Sequence, residues 1–176
     1  MNTANIFKLG GVGGIILDAP DQFGKTTLAE KLSKLTGMEI VHFKHNNEVD
    51  QVEYYTRPAV DGVCIIDRNY VSELVYGQTL RGKSVIDESM KDKIEELLHK
   101  NNYFIVILDR KNYIWEERAE MFTKDDNERV IAGYKKIYDD ISIDKMRVDA
   151  FDDDTVNAIY QHWLEKNKLW NGFRFD

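Results

Sequence analysis

A chain of 176 residues with 43% hydrophobic and 31% charged residues is long enough for one domain with a sizeable core and too short for two ordinary ones. Its 24 basic and 31 acidic residues leave a net charge of −7, which argues against non-specific wrapping of nucleic acid but leaves room for a local basic cluster around an anionic substrate. No apolar run approaches the ~18–20 residues of a membrane span, and the N-terminal MNTANIFKLGG lacks the apolar centre of a signal peptide, so a cytoplasmic protein without membrane contact is expected.

Five apolar runs bounded by turns follow in order: GIILD (14–18), MEIVHF (38–43), VCIID (63–67), YFIVILD (103–109) and DKMRVDAF (144–151). Amphipathic stretches at 25–36, roughly 47–57, 69–77, 87–101, 111–121, 127–141 and 153–167 lie between and after them. Short apolar strands alternating with helices predict an α/β fold, a five-stranded parallel sheet with helices on both faces, in one domain over 1–176. The one cysteine, Cys64, sits inside an apolar run, reads as a buried small hydrophobe and has no partner for an intramolecular disulfide. The four histidines show no metal-ligand spacing, and nothing in the chain supports a zinc site.

Ligands of open parallel sheets bind beyond the carboxyl ends of the strands. Three of the runs end in aspartate, Asp18, Asp67 and Asp109, which places carboxylates at that edge. For Asp109, capping of the following helix is an equally good reading. After the first run the chain reads APDQFGKTT and enters an amphipathic helix, the strand–loop–helix context that a phosphate-binding loop requires. The usual pattern is G-x-x-x-x-G-K-[ST]; here Ala19 replaces the leading glycine and Gln22 occupies a position often held by glycine. The backbone over Asp21, Gln22, Phe23, Gly24 and Thr27 would face phosphate oxygens, Lys25 would reach the terminal phosphates, and the Thr26 hydroxyl would hold Mg²⁺. Should Gln22 need a positive φ, the cost is on the order of 1 kcal/mol.

The third run continues as IIDRNYVSELVYG, with D-R-x-x-x-S-x-x-x-Y spacing. Together with DAPDQFGKTT and the late RVDAFDDDTV, this resembles the thymidylate kinase family, most closely its small bacteriophage-type members, in which YGQTLRGKS also looks familiar. The resemblance spans the whole chain. It implies a three-layer P-loop kinase fold with a short lid at about 111–128, ATP and Mg²⁺ as cofactors, and transfer of a phosphoryl group to a nucleotide or nucleoside. A phage-encoded member would work in the host cytoplasm, and a homodimer is among the states the resemblance allows.

On that resemblance, Asp67 would hold Arg68 or, through water, the Mg²⁺, and Arg68 would offer its planar fork to the acceptor. Ser72 and Tyr76, four apart on a helix, would line the acceptor's pocket. Phe43 and Arg81 are further acceptor candidates, and Tyr54, Tyr55 and Arg57 lie on the helix that follows Phe43. Arg118 best matches the first lid arginine, with Lys124 and Arg129 as second members; the lid is sparser in arginine than the family's. Asp18 divides the substrate classes. A general base there suits a hydroxyl acceptor, as in deoxynucleoside kinases, whereas a monophosphate arrives already ionised. The expected function is therefore a nucleoside monophosphate kinase. The alternatives are a deoxynucleoside or hydroxymethyl-pyrimidine kinase, the latter acting on a base in DNA, and a nucleotide-binding regulator with little turnover. The absence of an N-K-x-D motif speaks against a GTPase switch.

Overall fold

The structure is a computed structural model and describes residues 12–111, 113–114 and 123–171. The elements run β1 (Ile15–Asp18), α1 (Lys25–Thr36), β2 (Glu39–His42), α2 (Gln51–Asp61), β3 (Cys64–Asp67), α3 (Tyr70–Leu80), α4 (Glu88–Lys100), β4 (Phe104–Asp109), α5 (Lys124–Asp140), β5 (Lys145–Asp149) and α6 (Thr155–Asn171). The strands form one parallel sheet in the order β2-β3-β1-β4-β5. With β1 in the middle, the chain builds one side of the sheet and then the other. That reversal opens the crevice above the carboxyl ends of β3, β1 and β4.

Alternation along the strands divides the core into two layers. Ile15, Leu17, Ile65, Phe104, Val106 and Leu108 face one side, where Leu28 and Leu32 of α1 and Ile159 and Trp163 of α6 cover them. Ile16, Ile66, Ile105 and Ile107 face the other, against residues of α2, α3, α4 and α5. Ile15, Ile16, Leu17, Ile65 and Ile66 are fully buried, and each contributes on the order of 2 kcal/mol relative to an exposed position. The two rim strands differ from these: β2 carries an exposed Glu39, and β5 reads KMRVD with only partial burial.

Helix boundaries follow capping chemistry more closely than hydrophobic period. The helix expected from about 47 begins at Gln51, because the Asp50 side chain accepts a hydrogen bond from Glu53 N at 2.9 Å. The helix expected from 127 begins at Lys124, where Thr123 and Asp126 close a capping box. Helix α3 is capped by Asn69, whose side chain accepts from Tyr70 N at 2.7 Å, which leaves Asp67 free of that duty. Most of the helix expected over 111–121, and much of the lid, falls outside the described residues.

Tyr103 joins the sheet's lower end. Its hydroxyl donates to Gly62 O at 2.9 Å and accepts from Cys64 N at 2.9 Å, both at the entrance of β3. Tyr103→Phe strips two backbone groups of their partner at a residue with no exposed surface. We expect a loss of about 2 kcal/mol and a fall of roughly 4–8 °C in the thermal midpoint measured by circular dichroism, without loss of the native spectrum.

Candidate active site

β1 ends at Asp18, and the chain turns through Ala19–Gly24 into α1. Gly24 is the N-cap with φ 75° and no side-chain cap, so the first N–H groups of α1 keep their donor capacity for an anion. The left-handed φ of Gly24 favours glycine there, and a Cβ would lie 3.2 Å from Cζ of the exposed Phe151 ring, a tight contact. Ala19 and Phe23 are buried beneath the loop, and Phe23 packs on Tyr113 with ring centres 5.0 Å apart. Gln22 has φ 66°, the left-handed conformation that its position in the loop raised as a question.

Lys25, almost fully buried, places Nζ 2.7 Å from Asp67 Oδ1 at the end of β3. Thr26 Oγ1 donates to Asp67 Oδ2 at 3.5 Å, and His42 Nδ1 lies 2.9 Å from the same oxygen. Thr26 and Asp67 thus sit side by side, as two hard oxygen ligands for one cation would. Asp67 Oδ1 is buried with no aligned hydrogen-bond donor; only the Lys25 ammonium compensates it. Such an oxygen fits a divalent cation. No group of three metal-ligating side chains occurs among the described residues, so the rest of the shell would be water and phosphate oxygens, the habit of Mg²⁺.

Asp18 has no exposed surface and holds three segments together. Oδ1 accepts from Ala19 N at 2.9 Å, Ser72 Oγ at 2.6 Å and Tyr134 Oη at 2.6 Å; Oδ2 accepts from Asn69 N at 3.0 Å and Ser72 N at 3.1 Å. Burial pushes its pKa up, opposed by the hydrogen bonds from Ser72 and Tyr134 and by the positive charges of Lys25 and Arg68. The Ser72 hydroxyl, expected to line the acceptor pocket, is taken up by Asp18 and lies 3.0 Å from Tyr134 Oη.

Arg68 follows β3 with φ 69°, a left-handed non-glycine residue beside the loop. Its guanidinium is paired with Asp21 and lies 5.6 Å from the centre of the Tyr76 ring, while Tyr76 Oη accepts from Asp21 N at 3.1 Å. The guanidinium loses solvation by burial, yet Asp21 and its other neighbours raise its pKa further, so it stays charged. About a third of it remains exposed, open to a ligand. Arg81 pairs instead with Glu73 of α3, a buried carboxylate that also accepts from Val85 N at 3.2 Å and meets His45 Nδ1 at 2.8 Å. Phe43 is buried among Tyr54 and Tyr55, with ring centres at 4.7 and 5.2 Å, and with Tyr54 and Arg57 it also lines a cavity of about 680 Å³.

On the other side of the loop, a cavity of about 580 Å³ is lined by Gln22, Gly24, Thr27, Lys31, Arg110 and Phe151, among others. Arg110 stands 4.3 Å over the Phe151 ring and donates to Gln22 O at 3.1 Å. Sequence reasoning passed over Arg110 and Glu73 and read His42 as structural or exposed. The available signal for Arg110 was its place directly after a strand-end aspartate. Arg118 lies outside the described residues. Lys124 pairs with Glu128 at 3.8 Å, and Arg129 pairs with Asp126 and donates to Thr79 O at 3.1 Å, tying α5 to α3.

The sheet order, the glycine-bounded loop into α1 and the carboxylate at the end of β3 define a P-loop kinase fold. Among solved structures, the chain is similar to the YorR protein of Bacillus subtilis, crystallised in complex with phosphorylated GDP (TM-score 0.70, 20% identity, 92% of this chain and 99% of that one). It is also similar to deoxyadenosine kinase from M. mycoides with bound dCTP (TM-score 0.53, 17% identity, 86% and 98%). Thymidylate kinase from Candida albicans is a third (TM-score 0.51, 16% identity, 90% and 93%). No protein-family model and no curated protein sequence matches the chain. At these identities the likeness establishes the fold. No helix among the described residues is long and apolar enough to cross a membrane.

Gln22 provides a test of the loop. Gln22→Gly relieves about 1 kcal/mol of left-handed strain while raising the entropy of the unfolded chain. We expect a stability change between about 0 and +1 kcal/mol in urea unfolding. A loss of more than about 1 kcal/mol would show that the Gln22 side chain anchors the loop.

Proposed function

We propose that the protein is an ATP-dependent phosphotransferase acting on a (deoxy)nucleoside monophosphate. The observation that carries this reading is one juxtaposition. The N-terminus of α1 with Lys25 offers a phosphate site, and the Arg68 guanidinium stands across from it, held by Asp21 and Tyr76. The fold neighbours include both nucleoside and nucleotide kinases, which supports the enzyme class without choosing the acceptor.

In this reading the loop N–H groups and Lys25 take the donor's β- and γ-phosphates, and Lys25 exchanges its contact with Asp67 for phosphate oxygens. Thr26 and Asp67 would hold Mg²⁺, which when bound neutralises charge on the donor phosphates. Arg68 presents two parallel N–H donors to the acceptor phosphate, and Asp21 keeps that fork in plane. The 580 Å³ cavity beside Gly24 would take the donor base against Phe151 and Arg110. Rate enhancement comes from placing the two phosphates in line and from fixed positive charge, with no covalent intermediate.

The environment of Asp18 supports a monophosphate acceptor over a hydroxyl. A general base needs a lone pair aimed at the acceptor, whereas five donors already occupy the Asp18 carboxylate and none of its surface is open. Asp18 is better read as the residue that positions the loop, α3 and α5.

ATP offered with a panel of nucleosides and monophosphates should yield ADP with at least one monophosphate, and Lys25→Ala should lower kcat/KM by about 10²–10³. ADP formation no higher than in Lys25→Ala across the panel would remove the kinase reading and leave a nucleotide-binding regulator. Asp18→Asn puts an NH₂ group where both oxygens accept, so it should cost about 2–4 kcal/mol of stability. Assayed well below its lowered thermal midpoint, it should lose less than tenfold in monophosphate turnover. A loss of 10²–10⁴ in phosphorylation of a nucleoside hydroxyl, with folding intact and monophosphate turnover kept, would make Asp18 a general base after all.

A further inference from the structure

The contact between Lys25 and Asp67 cannot survive the reaction proposed above. When the Lys25 ammonium moves to phosphate oxygens before any Mg²⁺ is bound, the Asp67 carboxylate, whose side chain is only 5% exposed, loses the cation 2.7 Å from its Oδ1. Leaving a buried carboxylate unpaired is costly, and that cost would count directly against nucleotide binding. The Thr26 hydroxyl, at 3.5 Å, is a weak substitute.

A better partner is already in place. The parallel register of β2 and β3 sets His42 opposite Asp67, and the Phe43 N–H to Asp67 O bond of 3.1 Å fixes the two strand ends together. The His42 imidazole places Nδ1 2.9 Å from Asp67 Oδ2, the oxygen that Lys25 does not use. His42 stands on a rim strand and is half-exposed, so its position is not needed to fill the core. What the ring touches is the carboxylate that pairs with the phosphate-loop lysine.

We propose that His42 is a positioning residue for the phosphate-loop lysine. Its Nδ1–H holds Asp67 Oδ2 while Lys25 leaves Oδ1, so that the lysine is released to phosphate without stranding the carboxylate. This rests on the phosphate-loop reading given above. The hydrogen bond requires the tautomer with the proton on Nδ1, leaving Nε2 toward solvent. Without His42, and with no metal bound, Asp67 has Lys25 as its one strong partner, and the lysine is held back from the nucleotide.

The experiment is calorimetric titration of the full-length protein with ADP, in EDTA so that no metal contributes. The variants are His42→Ala and His42→Asn, each in the wild-type and the Asp67→Asn background, with thermal melts confirming folding. The Asn amide places an N–H donor close to where Nδ1 stood. His42→Ala should weaken ADP binding about tenfold, and His42→Asn should return it to within about threefold of wild type. In the Asp67→Asn background, His42→Ala should change the affinity by less than about twofold, because the coupling runs through the carboxylate. Should His42→Ala not fold, His42→Gln, with its amide one methylene further out, takes its place with the same expected loss. Wild-type affinity in His42→Ala, or an undiminished effect in Asp67→Asn, overturns the proposal while the phosphate loop stands. A wild-type protein that binds no ADP overturns the phosphate-loop reading itself, and this proposal with it.

Discussion

A carboxylate with no exposed surface needs donors on every lone pair, and the crevice edge of this protein is organised around meeting that need at Asp18. The donors come from the turn after β1, from the first turn of α3 and its cap, and from Tyr134 in the middle of α5. One residue therefore sets the distance between the phosphate loop, the segment bearing Arg68 and the helix that follows the expected lid. The loop has no freedom to drift from Arg68, since both are measured from the same two oxygens. Electrostatically the site is then nearly complete within itself: Lys25 answers Asp67 and Arg68 answers Asp21. Each of these two cations is held by a carboxylate of the same crevice.

Much of this was legible in the sequence. The five apolar runs became the five strands with ends shifted by one or two residues, because continuous Ile, Leu and Val runs between turn residues have few other solutions in a chain of this length. GKTT after an apolar strand and D-R after another placed Lys25, Thr26, Asp67 and Arg68 at one sheet edge, since parallel strands put all their carboxyl ends together. Helix starts were less legible. Asp50 and Thr123 decide them through single side-chain bonds that a hydrophobic period does not register.

The pairing of charges was the least legible part. Ser72 and Tyr76 share a helix face, as their spacing requires, yet Ser72 is claimed by Asp18 and Tyr76 by Asp21. Arg81, within the family-like YGQTLRGKS, was a candidate for contact with the acceptor. Its partner, Glu73, lies eight residues back, inside what reads as an ordinary helical stretch. His42 reads from the sequence as structural or exposed for a related reason. Its contact with Asp67 depends on strand register, and register joins residues 25 positions apart that no local pattern connects.

The sheet's two rims have a consequence for self-association. β2 and β5 are four and five residues long, and they bear Glu39 on one rim and Lys145 and Arg147 on the other. Lys145 is further engaged by the carbonyl oxygens of Tyr138 and Ile141 at the end of α5, at 2.6 and 2.7 Å, and Arg147 lies over the Tyr138 ring. Rims this short and charged are poor templates for adding strands from another molecule. Among the described residues, each rim of the sheet therefore ends in a short strand that carries charge rather than a long apolar edge.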